Sequence, residues 1–524
     1  MLGSTLAKIV LLVVLLGLSS TGSALPQFDL EEASISDIHN AFKAGAYNCE
    51  QLVGAYLNRI EKYDQSSKLN AITLVNPEAL GSARSLDKDY QATGRLGPLH
   101  CIPLIIKDNY DVMGLPTTAG SLLLKDNIAK SDAYQVRQLK EAGAIVLARS
   151  NMAEWAFSPK VTISSTAGET RNPYNLDHVP AGSSGGTAAA VAANFGAAGL
   201  GSDTGNSIRG PSSHNSLVGF RSTLGLTSRA GIVPLFLRND VGGPMARSVA
   251  DATRLLEVIA GYDPNDAVTR HSVGKIPSSY TRYLDKDGLR GARIGVLRIL
   301  SDNDADPEIL ALFEQAISDL RAAGAEIIDP LVVPHFDTLS QNQWCPMFPH
   351  DISLYLQSLG ERAPVKSLSE IVASGVYSDY IKEILDDFMK VSDAIQVHED
   401  GSPCTDPYTD KYRVAFRRAI EQVMDFHEVG AIIYPTWNNP PAKIGHLDGY
   451  KGDNSQVIAP HTGQPAFTVP MGFTTGNLPA GLQFLGRMFD EPTLIKYTYA
   501  YEQATHHRKP PEQFHRAASA SAAN

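Results

Sequence analysis

Basic runs, long apolar stretches and cysteines are all scarce in this chain. Its 524 residues carry 45 Lys or Arg against 56 Asp or Glu, a formal charge of −11, and no Lys/Arg run or basic tail stands out. Binding a phosphate backbone needs clustered cations, so the composition argues against nucleic acid as an obligate partner. Four cysteines are too few for a disulfide-built scaffold of this length. No Asn-x-Ser/Thr sequon occurs, so nothing marks a glycosylated chain. With 43% hydrophobic and 19% charged residues the composition is that of a globular protein, which excludes disorder and fibrous repeats. The length accommodates several domains or one large one.

The one strongly apolar stretch is N-terminal. Lys8 precedes an apolar run from Ile9 to Leu18, and Gly22-Ser23-Ala24 places small residues at −3 and −1 of a cleavage site. We read residues 1–24 as a signal peptide cleaved after Ala24, which predicts a secreted or periplasmic protein. An uncleaved anchor is the alternative, but the run is short for a spanning helix. No later stretch is long and apolar enough to span, so no stable membrane span is expected after cleavage. Export would permit disulfides among Cys49, Cys101, Cys345 and Cys404, which can pair in three ways, or all four can remain buried thiols.

Helix and strand patterns alternate along the mature chain. Residues 34–46 and 49–63 have helical spacing, 71–75 reads as a strand, and Pro77 stands where a helix would begin. The apolar run Pro103 to Ile106 ends at Lys107-Asp108; 133–142 reads as helix and 144–148 as a buried strand. Helices follow at 188–195, 249–260, 307–322 and 492–504, with strands at 292–297, 325–328, 431–434, 467–469 and 481–485. This alternation predicts an α/β architecture. The stretch from about 334 to 450 lacks the rhythm and reads as an insertion over the core. Its Trp344, Phe348, Tyr355 and Tyr377 point to an apolar acyl site, although surface decoration or a core role explains them equally well.

Two small-residue loops carry the chemistry. One is Gly182-Ser183-Ser184-Gly185-Gly186-Thr187; the other runs from Gly199 to Pro211, and Ser183 and Ser207 are 24 residues apart. Glycine is used where backbone must approach another group closely, as a site built from N–H donors requires. A phosphate cradle is disfavoured, because neither loop has the Gly-x-x-x-x-Gly-Lys-Ser/Thr or Gly-x-Gly-x-x-Gly spacing. A serine hydrolase elbow would centre on Ser184, but Arg171 to Pro180 is loop chemistry where that motif demands a strand. The third reading is a serine activated without histidine. A second hydroxyl relays its proton to a lysine that burial holds neutral, and Lys107, at the end of a buried strand, suits that role.

Gly-Ser-Ser-Gly-Gly, Asp203-Thr204-Gly205-Asn206-Ser207-Ile208-Arg209, Val218 to Gly225 and Gly242 to Arg247 together resemble the amidase signature family. The lysine segment Gly97 to Asn109 and the C-terminal blocks Gly463 to Ala466 and Leu478 to Arg487 look like the family's as well. The resemblance implies a single large α/β domain over residues 25–510 with a mixed central β-sheet flanked by helices on both faces. Its core motif region is 97–260, the pocket-shaping insertion 334–450, and 511–524 a flexible tail. It further implies a Ser–cis-Ser–Lys triad, with Ser207 the nucleophile, Ser183 the bridging serine after a cis bond from Gly182, and Lys107 the base. The backbone N–H groups of Thr204, Gly205, Asn206 and Ser207 would form the oxyanion hole, with Ser184, Asp203 and Arg209 in support. Three departures stand out. Asn206 and Cys101 replace common glycines, and Arg221-Ser222 a common Lys-Pro; Asn206 would have to suit a left-handed turn.

The implied activity is amide hydrolysis through a Ser207 acyl-enzyme, on a small-molecule or peptide amide, with no metal or organic cofactor. A monomer or homodimer is expected. The rival within the family is the glutamine-hydrolysing amidotransferase subunit, which works beside charged tRNA and fits an exported acidic chain poorly.

Overall fold

The computed structural model describes residues 29–302, 304–392 and 396–515. The signal peptide read over residues 1–24 and most of the tail lie outside them. Strands in chain order are β1 (Ile72–Val75), β2 (Pro103–Lys107), β3 (Ile145–Ser150), β4 (Ile163–Ser164), β5 (Gly168–Glu169), β6 (Ala198–Asp203), β7 (Val218–Arg221) and β8 (Val241–Ala246). The chain continues with β9 (Arg293–Val296), β10 (Glu326–Ile328), β11 (Ala431–Pro435), β12 (Ala466–Phe473) and β13 (Pro479–Leu485). Eleven of them form one sheet in the order β1-β3-β2-β6-β8-β7-β12-β13-β11-β9-β10, while β4 and β5 pair apart. The sheet is mixed. β3, β2 and β6 run parallel, as do β11, β9 and β10, and the strands between are antiparallel. Helices flank both faces, giving the single large α/β domain expected. No helix among the described residues is long and apolar enough to cross a membrane.

Local chemistry accounts for the elements read from sequence. The helix Pro307–Ala322 starts on Asp306, whose carboxylate accepts from Glu308 N at 2.8 Å, and carries Pro in its first turn. Its Ile309, Phe313, Ala316, Ile317 and Leu320 are buried at helical spacing. Asn48 and Gln51 form a reciprocal capping box at the start of the helix Cys49–Tyr63.

Three readings change. The sequence from Gly199 onward reads as a loop, yet its first residues belong to β6, a strand in the middle of the sheet and buried along its whole length. Small residues are needed there because a Cβ on Gly199 would lie 2.6 Å from both the Ile105 carbonyl oxygen and Thr187 Cγ2. The helix Gly185–Ala192 can therefore press against β6. The stretch read as an irregular insertion instead holds the helices Phe348–Leu359, Leu368–Ser374, Lys382–Phe388 and Lys411–Phe426. Phe348, Ile352, Leu356, Ile371 and Leu385 from the first three bury a second core with Trp155 and Met152. Because β11 is part of the main sheet, the portion outside the sheet ends before Ala431.

The cysteines resolve into two disulfides, Cys49–Cys101 and Cys345–Cys404. Cys101 stands at φ 60°, the left-handed region that glycine would fill without cost. Two double variants separate the crosslink from the backbone conformation. Cys49→Ala/Cys101→Ala is expected to lose ~3–4 kcal/mol in equilibrium urea denaturation from loop closure. Cys49→Ala/Cys101→Gly should recover about 1 kcal/mol of that, because glycine accepts the positive φ.

Candidate active site

Lys107 is the last residue of β2, and the neighbouring parallel strand β6 brings Ser202 beside it. Its Nζ donates to Ser183 Oγ at 2.8 Å, to Ser202 Oγ at 2.9 Å and to the Ser202 carbonyl at 3.4 Å. Among the described residues no carboxylate lies within ion-pair distance of this amine, because each nearby acid is engaged elsewhere. Asp108 is ion-paired with Arg149 at 3.0 Å. Asp240 accepts from Thr204 Oγ1 at 2.5 Å and from Leu235 N at 2.9 Å. The amine is fully buried, and burial pulls its pKa from 10.5 down to about 7 against the upward pull of Asp203 and Asp240. Near neutral pH it is therefore populated as a free base.

Ser183 follows a cis peptide bond from Gly182. Ser184 stands at the N-cap of the helix Gly185–Ala192 and donates through its hydroxyl to the Ser202 carbonyl at 3.2 Å. It follows a loop rather than a strand, and among the described residues neither Ser184 nor Ser207 bonds to a histidine, which removes the elbow reading.

The second loop, residues 204–207, links β6 to the helix Arg209–His214. It is held from below by Asp203, whose Oδ2 accepts from Ile208 N at 3.1 Å and Arg209 Nε at 3.1 Å, and whose Oδ1 accepts from Arg221 Nη1 at 2.8 Å. Arg209 Nη2 also donates to the Gly205 carbonyl at 2.7 Å. Burial would raise the Asp203 carboxyl, but the two guanidiniums outweigh it and hold it at about 2. A buried acid flanked by two buried arginines is a fixed strut: removing it would leave two unpaired charges in the interior. Arg221, which the sequence presents only as a departure from Lys-Pro, is half of this clamp.

The strut leaves the N–H groups of Thr204, Gly205, Asn206 and Ser207 with no protein acceptor among the described residues. Four free donors on one buried turn can stabilise a developing oxyanion. Asn206 occupies its position without a positive φ, so the left-handed turn expected of it does not occur. Its Oδ1 instead accepts from Ser207 Oγ at 3.3 Å. The structure thus joins Lys107 to Ser183 directly, while the Ser207 hydroxyl points to Asn206.

Thr204 to Ser207 floor a cleft of about 130 Å³ walled by Phe157, Leu235, Phe236, Trp344, Ile384 and Phe388, with Gln456 at its edge. Of the four aromatic residues singled out in the insertion, only Trp344 lines it. Phe348 packs behind the wall against Phe157, with ring centroids 4.6 Å apart, and Tyr355 accepts from Asn127 Nδ2 at 3.1 Å elsewhere. Tyr377 packs on the second core. Phe157, Phe236 and Gln456 carried no motif in the sequence, and Ser202 lay in the second loop with no role assigned to it; register and loop packing bring them to the site.

Residues 51–495 match the family model for Amidase. A probable amidase of Arabidopsis thaliana is 33% identical over 519 residues, covering 96% of this chain and 95% of the relative. A glutamyl-tRNA(Gln) amidotransferase subunit from Moorella thermoacetica is 35% identical over 478 residues, covering 88% and 95%. Among solved structures, the native peptide amidase from Stenotrophomonas maltophilia superposes with a TM-score of 0.79 at 36% identity, covering 92% of this chain and 98% of that one.

The buried lysine makes a stability prediction. Folded, it keeps its proton only below about 7; unfolded, it keeps it up to 10.5. Between those values the unfolded chain binds the extra proton, so stability rises with pH across that window. Lys107→Met is expected to gain ~2–4 kcal/mol at pH 7 and to lose this rise, as read from urea midpoints at pH 7 to 10.

Proposed function

The chain belongs to the amidase family, and from that premise we propose that it hydrolyses carboxamides to acid and amine through an acyl-enzyme on Ser207. The observation that carries this reading is the Lys107 amine, buried, 2.8 Å from Ser183 Oγ and without a counter-ion. In the proposed sequence the Ser207 hydroxyl leaves Asn206 and turns to Ser183. As Ser207 Oγ attacks the carbonyl carbon, its proton passes to Ser183 Oγ and the Ser183 proton to neutral Lys107. The loop N–H groups hold the oxyanion, each donor contributing ~3–4 kcal/mol in the transition state. The lysine proton returns through Ser183 to the leaving nitrogen, and water then cleaves the ester by the same relay run again. The apolar cleft walls support an acyl group that is apolar or aromatic.

Glutamine hydrolysis for an amidotransferase is the second reading, favoured by the relatives of that name. The apolar lining of the cleft, the N-terminal apolar run and the two disulfides weigh against it. The last two also support our reading of the protein as exported, since disulfides persist in oxidising compartments.

Turnover of a panel of aryl anilides, C-terminal peptide amides, fatty amides and glutamine tests both readings. We expect an apolar amide to be hydrolysed, and Ser207→Ala and Lys107→Ala each to lower kcat by on the order of 10⁴- to 10⁶-fold with the fold intact. Glutamine turnover alone would favour the second reading. Because the relay needs the free amine, kcat/KM should climb as pH rises through about 7 and level off above it. A flat profile from pH 5 to 9 would contradict the lysine's role.

A further inference from the structure

Gln456 and Asp453 have no part in the relay, yet Gln456 meets the oxyanion loop and Asp453 holds Gln456. Gln456 lines the cleft beside Gly205, Asn206 and Ser207. Its Nε2 donates to Asp453 Oδ2 at 2.8 Å, which fixes the orientation of the side-chain amide and turns Oε1 the other way. That oxygen would stand 3.0 Å from a Cβ on Gly205, so glycine at 205 is what allows the approach. Among the described residues Oε1 accepts no hydrogen bond, which leaves an unused acceptor aimed at the loop that offers four unused donors. The turn bearing Gln456 is anchored: Asn454 Nδ2 donates at 2.8 Å to the carbonyls of Leu300 and Pro435, and Ser455 Oγ to that of Thr436 at 3.3 Å. Among the described residues Asp453 Oδ1 is buried without a hydrogen-bond partner, while Oδ2 is bonded to Gln456. Burial raises this carboxyl to about 7 against the pull of Gln456 and Arg209, and in either protonation state Oδ2 can accept.

We infer that Gln456 Oε1 accepts a hydrogen bond from the scissile carboxamide and that Asp453 is its positioning residue, so that the site selects unsubstituted carboxamides. The inference rests on the proposed function of the same cleft. With the carbonyl oxygen on the loop N–H groups, an acceptor next to Gly205 faces the amide hydrogen on the same side as that oxygen. Only an unsubstituted carboxamide has a hydrogen there; a trans N-substituted amide places its substituent in that position, against Gln456. An ester has no hydrogen to donate, so it gains nothing from the contact. A polar group that is paired only by the right substrate discriminates by leaving itself unpaired with the wrong one.

The test compares the primary amide, N-methyl amide and methyl ester of one hydrophobic acid, on the full chain. The wild type should prefer the primary amide to the N-methyl amide by ~10-fold or more in kcat/KM. Gln456→Met, close in shape but without the acceptor, should lose about 10-fold on the primary amide and less than about 2-fold on the ester. Asp453→Leu should show the same amide-selective loss, while Asp453→Asn, which keeps an acceptor oxygen, should restore most of it. Equal losses on amide and ester, or no loss on the amide, would overturn the inference, as would a wild type that cleaves the N-methyl amide as readily. Undiminished turnover of both substrates by Ser207→Ala would instead overturn the proposed function itself.

Discussion

A primary amine taken wholly out of water and given no counter-ion must either lose its proton or destabilise the fold, and Lys107 is that amine. The surrounding structure can be read as the means of keeping it so. Every acid that could neutralise an ammonium there is committed to another cation or to hydrogen-bond donors: Asp108 to Arg149, Asp203 to Arg209 and Arg221, Asp240 to Thr204 and the backbone of Leu235. What remains around Nζ are the hydroxyls of Ser183 and Ser202 and one carbonyl. These partners tolerate a neutral amine, whereas a carboxylate in contact would hold the proton on it.

The same commitments shape the loop that faces the lysine. Asp203 satisfies two arginines and accepts from the Ile208 N–H, and the four N–H groups of the preceding turn are bonded to no protein acceptor among the described residues. Two arginines therefore serve one end while one lysine serves the other, and the acid between them separates their roles. The cost is local: the interior holds charges that only this geometry satisfies, so the loop cannot relax without exposing them. Rigidity of this kind is what preorganised donors need.

Much of this was legible in the sequence, and the parts that were not share a cause. The helix Pro307–Ala322 could be read because its start and its buried stripe are both local features. Lys107 stood out as a charge ending an apolar run, and Ser183 and Ser207 as members of spaced small-residue motifs. By contrast, Gly-Leu-Gly-Ser-Asp from Gly199 reads as a loop, because its strand character comes from β2, β8 and a close-packed helix rather than from its own propensities. Ser202 reaches Lys107 only through the register of β2 against β6, and Arg221 reaches Asp203 only across the sheet. The insertion's helices are short, with their apolar residues facing a second core that no single segment defines. The cysteine pairing likewise depends on which loops the sheet brings together.

Since the relay depends on the charge state of one amine, the most direct measurement is of that amine. Protein labelled with ¹³C at lysine Cε, with the Lys107 signal assigned by its absence in Lys107→Met, can be titrated by NMR from pH 5 to 11. The Lys107 amine is expected to titrate with a midpoint near 7, well apart from the surface lysines. A Lys107 signal that stays protonated until pH 10 or beyond would contradict the relay, because the hydroxyls beside it would then face a cation unable to take their proton.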